Sequence, residues 1–255
     1  MTDRRETSAP RTADRIRALA VVQHDSAEYL GLIEDHLEGR RIRFRYFRPF
    51  TTDGRLPGST ERADGLVLLG AGPWGGAPGP QRLPAFDQEV ALTADALVRG
   101  VPILAIGLGA LLLCVAGGGT IEPAPLSFEI DVAGRTTADA LDGYLPERFP
   151  SVRYGRDRPR PPPSARILAV DAARRPALFQ IGARAFGFTG HPGVKSAMIE
   201  DLIMEFPESP PDPGPRLAAL RTMNAAIEDA LVPTMTGLVR CLGWMAPDDA
   251  AHEPG

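Results

Sequence analysis

The clearest chemical pattern in the sequence is the stretch VPILAIGLGALL at residues 101–112. An apolar, β-branched run closes into a turn of small residues and continues at once into a helix-forming segment. Enzymes with α/β folds expose a nucleophilic side chain at such a strand–turn–helix junction. The residue at this turn is Gly107, which has no side chain. Because covalent catalysis needs a nucleophilic side chain, the pattern predicts a nucleophile elbow without its nucleophile.

This stretch resembles the elbow of the class I glutamine amidotransferases. It is most similar to the stand-alone branch related to the amidotransferase part of GMP synthase, whose elbow reads Gly-Ile-Cys-Leu-Gly-Ala-Gln. The two elbows align on Leu108, Gly109 and Ala110. The resemblance implies that the catalytic cysteine of the family falls on Gly107 and that its substrate-side glutamine falls on Leu111.

The family pairs its cysteine with a histidine and a glutamate in a His-Pro-Glu segment. The histidine takes the thiol proton and later protonates the leaving ammonia, while the carboxylate orients the ring. The matching segment here is His191-Pro192-Gly193, preceded by Thr189 and Gly190 where the family has Gln-Phe. The resemblance therefore implies that the histidine is retained and that the orienting glutamate is lost.

Two more family segments align with this chain. A His-Gly-Asp segment falls on Gly155-Arg156-Asp157, which retains only the aspartate, and the glycine-rich oxyanion loop falls on GAGPW at residues 70–74. Four losses together remove the nucleophile, a substrate contact, a pocket histidine and the orienting acid. Such a set implies a lineage released from glutamine hydrolysis rather than a single inactivating substitution.

His191 and Asp157 are the candidate catalytic residues. Each also has a structural interpretation, His191 as a packing or capping residue and Asp157 as a turn former. Trp74 either stacks on a planar ligand or closes the empty site. We expect no metal site and no cofactor. The predicted binding pocket lies at the carboxyl ends of the strands, where α/β sheets bind ligands, and consists of Gly107, Leu108, Leu111, Gly72, Trp74, His24 and Thr189.

Two main functions are open. The first is a catalytically degenerate amidotransferase-like protein without glutaminase activity, which binds a small metabolite or a partner enzyme in a bacterial, specialised-metabolite type of pathway. The second is an enzyme of altered, non-covalent acid–base chemistry, of hydrolase, lyase or isomerase type, that uses His191 in the vacated pocket. A subunit that channels ammonia made elsewhere is a third interpretation. The sequence favours the first.

Composition narrows the class of protein. The net charge of -4 and the absence of a long basic stripe argue against a nucleic-acid partner. The arginines at 153, 156, 158 and 160 predict a solvated basic patch at the rim of the site. Two cysteines are too few for a disulfide framework, and no apolar run is long enough to cross a bilayer, so we expect a cytoplasmic protein with no membrane partner. Lys195 is the only lysine, which favours a bacterium with a GC-rich genome.

Apolar strands alternate with helices from residue 18 to residue 115, which predicts a flavodoxin-like, doubly wound and mostly parallel α/β sheet with helices on both faces. We expect a helix over residues 28–37, a loop over 158–163, and one long helical stretch over 216–242 that Pro233 kinks or breaks. The apolar stripe of that stretch leaves a homodimer open. The predicted division of the chain is a disordered arm at 1–15, the amidotransferase-like domain at 16–206, a C-terminal helical extension at 207–246 and a disordered tail at 247–255.

Overall fold

A computed structural model of the chain describes residues 17–245. The predicted arm at 1–15 and the predicted tail at 247–255 lie outside the described residues. The strands are β1 (Ala18–Val22), β2 (Arg43–Phe47), β3 (Leu66–Leu68), β4 (Ile103–Ile106), β5 (Thr120–Glu122), β6 (Ser127–Arg135), β7 (Arg148–Gly155), β8 (Arg158–Arg160), β9 (Arg166–Val170), β10 (Pro176–Ile181) and β11 (Ala185–Phe188). The helices are α1 (Ile33–Gly39), α2 (Phe86–Val98), α3 (Leu108–Ala116), α4 (Ser196–Glu205), α5 (Pro213–Thr222) and α6 (Asn224–Cys241).

One nine-stranded sheet forms the centre of the molecule, in the order β2-β1-β3-β4-β11-β10-β9-β6-β7. The strands from β2 to β11 run parallel, and those from β10 to β7 continue the sheet in antiparallel pairs. The parallel strands β3 and β4 are buried along their whole length, because helices cover both faces. The α/β fold with a mostly parallel sheet is therefore confirmed.

Alternate residues of each parallel strand enter different cores, as the two-residue repeat of a strand requires. Leu19 and Val21 of β1 pack with α1 and α6 on one face. Ala20 and Val22 pack with α2 and α3 on the other face. Helices α4 and α5 enclose a third, smaller core against β6 and β7.

The first helix begins later than predicted. It begins at Ile33, while residues 28–30 are irregular and residues 31–32 form a turn. Gly31 adopts a left-handed backbone with φ 62°, which a helix cannot contain, and the Leu32 N–H donates to the carbonyl of Gly193 at 2.8 Å. The prediction of a helix from residue 28 was wrong because a tertiary contact determines this backbone.

The proline-rich segment at 158–163 is not entirely a loop. Residues 158–160 form β8, which pairs antiparallel with β5. Pro159 is tolerated because it lies on an edge strand of a two-stranded sheet, where its missing N–H is not needed. Strands β6 and β7 pair along eight successive positions.

The C-terminal segment forms two helices, and the break is not at Pro233. Helix α5 ends at Thr222, and α6 runs continuously through Pro233. Met235 and Leu238, which follow the proline, are fully buried in the main core, and this packing outweighs the lost backbone hydrogen bond. None of the helices within residues 17–245 has the length and apolar character needed to span a membrane.

We expect Leu238→Ala to lower the free energy of unfolding by about 2–5 kcal/mol, because it leaves a cavity in the main core. Val232→Ala is the matched control on the same helix: Leu238 is 0% exposed and Val232 54% exposed. The control should change the stability by less than about 0.5 kcal/mol. Urea unfolding of both variants measures the difference, and equal losses would show that α6 is not part of the core.

Candidate functional site

The elbow lies between β4 and α3, with Gly107 at its apex. Gly107 has φ 58° and ψ -117°, and its N–H donates to the carbonyl of Phe188 at 2.9 Å. This backbone conformation strains most residues with a side chain. A Cβ at this position would lie 3.2 Å from the Cα of Gly70, which is a tight contact. The turn has the strained geometry of a nucleophile elbow, and it faces the loop after β3.

Close packing of α3 on β3 sets this distance. A Cβ on Gly109 would overlap the carbonyl of Leu68, and the Gly109 N–H donates to the carbonyl of Leu69 at 3.0 Å. Only glycine lets the first turn of α3 approach the strand end this closely. The elbow and residues 70–74, which we call the glycine loop, are therefore held against each other.

The elbow opens onto two small cavities that share Gly107, Tyr154 and Thr189, and we call them together the elbow crevice. Each has a volume of about 10 Å³, room for about one water molecule. The first is lined by Ala71, Gly72, Trp74, Gly107, Leu108, Leu111, Arg153, Tyr154, Gly155, Arg156, Asp157, Pro159 and Thr189. The second is lined by Glu28, Gly107, Val152, Tyr154, Thr189, Gly190, His191, Val194, Met198, Ile199 and Leu202.

The structure brings most of the predicted site residues together. Those that line the first cavity are Gly72, Trp74, Gly107, Leu108, Leu111, Asp157 and Thr189. His191 lines the second cavity. His24 lines neither cavity and lies behind the glycine loop, where its Nδ1 is 2.9 Å from the carbonyl of Gly70.

The carboxylate of Asp157 holds loops together. Its Oδ2 accepts the N–H groups of Gly76 at 2.9 Å and Ala77 at 2.8 Å, and its Oδ1 accepts the N–H of Ala124 at 3.1 Å. Three backbone donors occupy both oxygens. This geometry fits the structural interpretation of Asp157, since proton transfer would break loop contacts.

His191 makes two hydrogen bonds with its ring. Its Nε2 lies 2.9 Å from the carbonyl of Tyr29, and its Nδ1 accepts the N–H of Gly193 at 3.2 Å. A carbonyl only accepts, so the ring proton is on Nε2 and the lone pair of Nδ1 is already used. Burial lowers the pKa of His191 to about 4, so the ring is neutral at pH 7. In this arrangement His191 has no free lone pair with which to act as a base.

The backbone at Gly193 is tightly packed where the family resemblance would put a carboxylate. A Cβ on Gly193 would lie 3.0 Å from Cγ1 and 3.1 Å from the backbone N of Ile33. The start of α1 therefore packs where an acidic side chain would begin.

His24 holds the glycine loop in place through a hydrogen bond to the carbonyl of Gly70. Besides the Gly70 carbonyl, its ring contacts Glu89 of α2, with 2.7 Å between Nε2 and Oε2, and both side chains are 0% exposed. Burial alone would lower the pKa of His24, but the charge and hydrogen bond of Glu89 and the Gly70 carbonyl outweigh burial and raise it. Because the carbonyl of Gly70 can only accept, Nδ1 of His24 donates to it, and the ring links Gly70 to Glu89 of α2.

Glu28 is a site residue that the sequence reasoning missed. Its carboxylate accepts the N–H of Gly72, and its side chain lines the second cavity. Asp25 shapes the turn that directs it inward, because its Oδ1 accepts the N–H groups of Ala27 at 2.9 Å and Glu28 at 2.7 Å. An aspartate that binds the backbone just after itself is a turn signal, and Gly31 inside the predicted helix is a second one. These two signals could have placed Glu28 outside a helix.

Arg153 was also misplaced by the sequence reasoning. It is buried rather than solvated, and it donates to Ser127 Oγ at 2.9 Å, to the Gly155 carbonyl at 3.0 Å and to the Asp157 carbonyl. Burial lowers the pKa of its guanidinium to about 10, so the group stays charged at pH 7. A buried positive charge thus lies at the wall of the crevice.

Within residues 17–245 no group of three or more His, Cys, Asp or Glu side chains is arranged to hold a metal ion.

Comparison with known proteins places this geometry in context. No family model matches the chain. GMP synthase [glutamine-hydrolyzing] of Aeropyrum pernix is 31% identical over 170 residues, which are 63% of this chain and 31% of that protein. The chain thus matches about a third of the length of this curated relative.

Solved structures resemble the chain over most of its length. The glutamine amido transferase from Methylobacillus flagellatus has a TM-score of 0.76 at 19% identity and covers 93% of this chain and 100% of its own. A glutamine amidotransferase from Thermotoga maritima has a TM-score of 0.73 at 20% identity, with 89% and 99% covered. The fold is therefore that of these glutamine amidotransferases.

We expect Asp157→Asn to lower the free energy of unfolding by about 1–3 kcal/mol. The amide keeps the size of the side chain but loses one acceptor, so a buried backbone N–H is left without a partner. Asp53→Asn, on an exposed turn, is the control and should change stability by less than about 0.5 kcal/mol. Denaturant unfolding measures both. Equal effects would contradict the role of Asp157 in holding the loops.

The stability of the protein should fall as the pH rises from 6.5 to 8. Burial, followed by the charge of Asp25, raises the pKa of Glu28 to about 8, so the folded chain holds a proton that the unfolded chain releases near its ordinary value of 4.5. Stability from such a group is complete below pH 4.5 and is lost as the pH passes through 8. The raised pKa of His24 acts in the same direction, and the lowered pKa of His191 acts only below 6.5.

Unfolding free energies at a series of pH values measure this effect. For the wild type the slope should approach about 1.4 kcal/mol per pH unit in this window. Glu28→Gln keeps the size of the side chain and an acceptor for Gly72, and it should have a clearly smaller slope. Identical slopes in the two proteins would mean that Glu28 does not hold a proton in the fold.

Proposed function

We propose that this chain is a catalytically degenerate class I glutamine amidotransferase-like protein, which lacks glutaminase activity and acts by binding in a bacterial biosynthetic pathway. The observation that carries the proposal is Gly107 at the apex of the elbow. On the family alignment Gly107 replaces the catalytic cysteine. Loss of the nucleophile from a catalytic triad typically lowers kcat by about six orders of magnitude.

The thiol of Cys114 does not take over this role. Cys114 is buried within α3, and its Sγ donates to the carbonyl of Thr120 at 3.4 Å. Burial raises the pKa of the Cys114 thiol to about 11, so it is not a thiolate at pH 7. The ring nitrogens of His191 are both engaged, which removes the base that would activate a thiol.

The small volume of the elbow crevice favours binding of a partner enzyme over binding of a small metabolite. Space for about one water molecule in each cavity does not accommodate a metabolite of the size of glutamine. A partner enzyme of the same pathway, bound at the surface of a cytoplasmic protein, fits this geometry better than a metabolite in the crevice. If this is correct, the chain should co-purify from cells with such an enzyme. A second copy of the chain is the other partner that co-purification could reveal, as a homodimer.

The alternative of a non-covalent acid–base enzyme has weaker support. It needs a side chain with a free lone pair beside an open cavity. His191 meets the first condition only if it gives up its contact with Gly193, and Asp157 only if it releases the backbone of the loops. We therefore do not adopt it.

Ammonia release from glutamine tests the proposal directly. We expect none above the buffer blank for the wild type, and none for Gly107→Cys. The variant restores a thiol, but its His191 lacks a free lone pair and position 193 lacks a carboxylate. An active glutaminase measured in parallel shows that the assay works.

Two results would contradict this proposal in different ways. Glutamine hydrolysis by the wild type at an enzymatic rate would refute the loss of activity. Hydrolysis by Gly107→Cys alone would show that only the nucleophile is missing and that the rest of the site is intact. Thermal unfolding with millimolar glutamine adds a binding measurement, and we expect no shift in Tm because the crevice is filled.

A further inference from the structure

Strand β2 is the terminal strand of the central sheet, and among the described residues it pairs with β1 alone. In a parallel pair, every second residue of a strand hydrogen-bonds to its neighbour. The Arg43 N–H donates to the Arg17 carbonyl at 2.9 Å, so Arg43 and every second residue after it face β1. The N–H and C=O groups of Phe44 and Tyr46 therefore point outward, toward the position of a further strand.

The same edge carries a positive charge. Residues 40–48 read RRIRFRYFR, with five arginines and no acidic residue. Arg41, Arg43, Arg45 and Arg48 are exposed. Within residues 17–245 the side chains of Arg41 and Arg43 form no ion pair or hydrogen bond, whereas Arg45 lies 3.4 Å from the carboxylate of Glu61. Positive charge therefore exceeds negative charge along this strand.

This charge decides which kind of strand can pair with β2. Charged side chains on an edge strand usually prevent pairing between copies of a protein. Two β2 edges side by side would place arginines against arginines, and like charges opposite each other destabilise a sheet. An acidic strand gains from the same side chains. The arginines thus exclude a second copy at this edge and favour an acidic segment.

We propose that β2 is a docking edge for an acidic, extended segment of a partner protein, which adds one strand to the nine-stranded sheet. The outward backbone groups of Phe44 and Tyr46 pair with the segment, and the exposed arginines bind its acidic side chains. This inference rests on the proposed function and deepens it, because it names the surface at which the chain holds its partner enzyme.

The arginines flank the edge on both faces of the sheet. Arg45 lies over the ring of Phe47, which belongs to the core beneath α2 and α3. Arg48 lies over the ring of Tyr46, which packs on the opposite core beside α1. Successive side chains of an added strand point to opposite faces, so acidic residues on either face meet an arginine.

A single-stranded nucleic acid fits this edge less well. Such a ligand stacks its bases on exposed aromatic rings. Phe47 is buried, and Arg45 and Arg55 lie over its ring at 5.1 and 5.4 Å. Phe44 and Tyr46 pack edge to face, with 5.9 Å between their ring centroids, against the main core. The rings of β2 are engaged within the fold, so its backbone and its arginines are what a ligand meets.

Binding of synthetic peptides to the intact chain tests the proposal. The probe is acetyl-Glu-Val-Glu-Val-Glu-Val-amide. A peptide with lysine in place of glutamate keeps the strand-forming valines and reverses the charge. A peptide with proline in place of valine keeps the acidic charge but lacks every second N–H, so it cannot pair fully with an edge. We expect the first peptide alone to bind, with an affinity that falls as the salt concentration rises.

Hydrogen exchange shows where the probe binds. At about ten times its Kd, exchange of the Phe44 and Tyr46 amides should slow about tenfold, because exchange then occurs only from the small free fraction. The proposal is overturned if the probe does not bind at low millimolar concentration, or if it binds without slowing these two amides.

Charge reversal on the edge gives a second measurement. Arg43→Glu should weaken binding of the probe roughly two- to thirtyfold, because an attraction at an exposed site becomes a repulsion. Arg148→Glu is the matched control, since Arg148 is an exposed arginine on β7 at the opposite edge of the same sheet. The control should keep the affinity within about twofold. Equal weakening by both substitutions would show that only net charge matters and would overturn the proposal.

Three further results would contradict the docking edge. Equal binding of the lysine peptide would remove the selection by charge, and equal binding of the proline peptide would remove strand pairing. Tighter binding of an oligothymidylate than of the probe would assign the edge to nucleic acid. None of these measurements depends on ammonia release, so a failure here is distinguishable from a failure of the proposed function.

Discussion

The buried contact between the carboxylate of Glu28 and the backbone of Gly72 determines the shape of the crevice. An ionised carboxylate is costly to bury, so burial raises the pKa of Glu28 to about 8 and the group keeps its proton, while the Gly72 N–H and the charge of Arg153 act in the opposite direction. The contact also explains why Gly70 must lack a side chain. The glycine loop, the elbow and the turn before α1 therefore form one mutually dependent unit.

The two histidines near the elbow hold backbone segments in place. His24 ties Gly70 to α2 through Glu89, and His191 ties the turn at Tyr29 to Gly193. In an active site, such groups keep a lone pair or a proton directed at the reacting atoms. Here both ring nitrogens of each histidine are engaged by the fold itself.

Long apolar runs in the sequence predicted the fold better than the positions of proline did. Strands β3 and β4 are continuous apolar runs, and together with helix α2 between them they predict a parallel sheet. Proline gave a weaker signal. Pro159 occurs in a strand and Pro233 in a helix, because an edge position in the first case and core burial in the second remove or outweigh the cost. Local preference identified the elements, and packing determined their ends.

The sequence by itself determined the α/β fold and a bare backbone at Gly107, because strand–helix alternation and the absence of a side chain are properties of the residues alone. Only the tertiary structure decided that Glu28, distant from Gly72 along the chain, fills the space beside the elbow. It also decided that His191 has no free lone pair. Hydrogen bonds between segments far apart in sequence depend on the relative positions of strands and turns, and no local pattern encodes those positions.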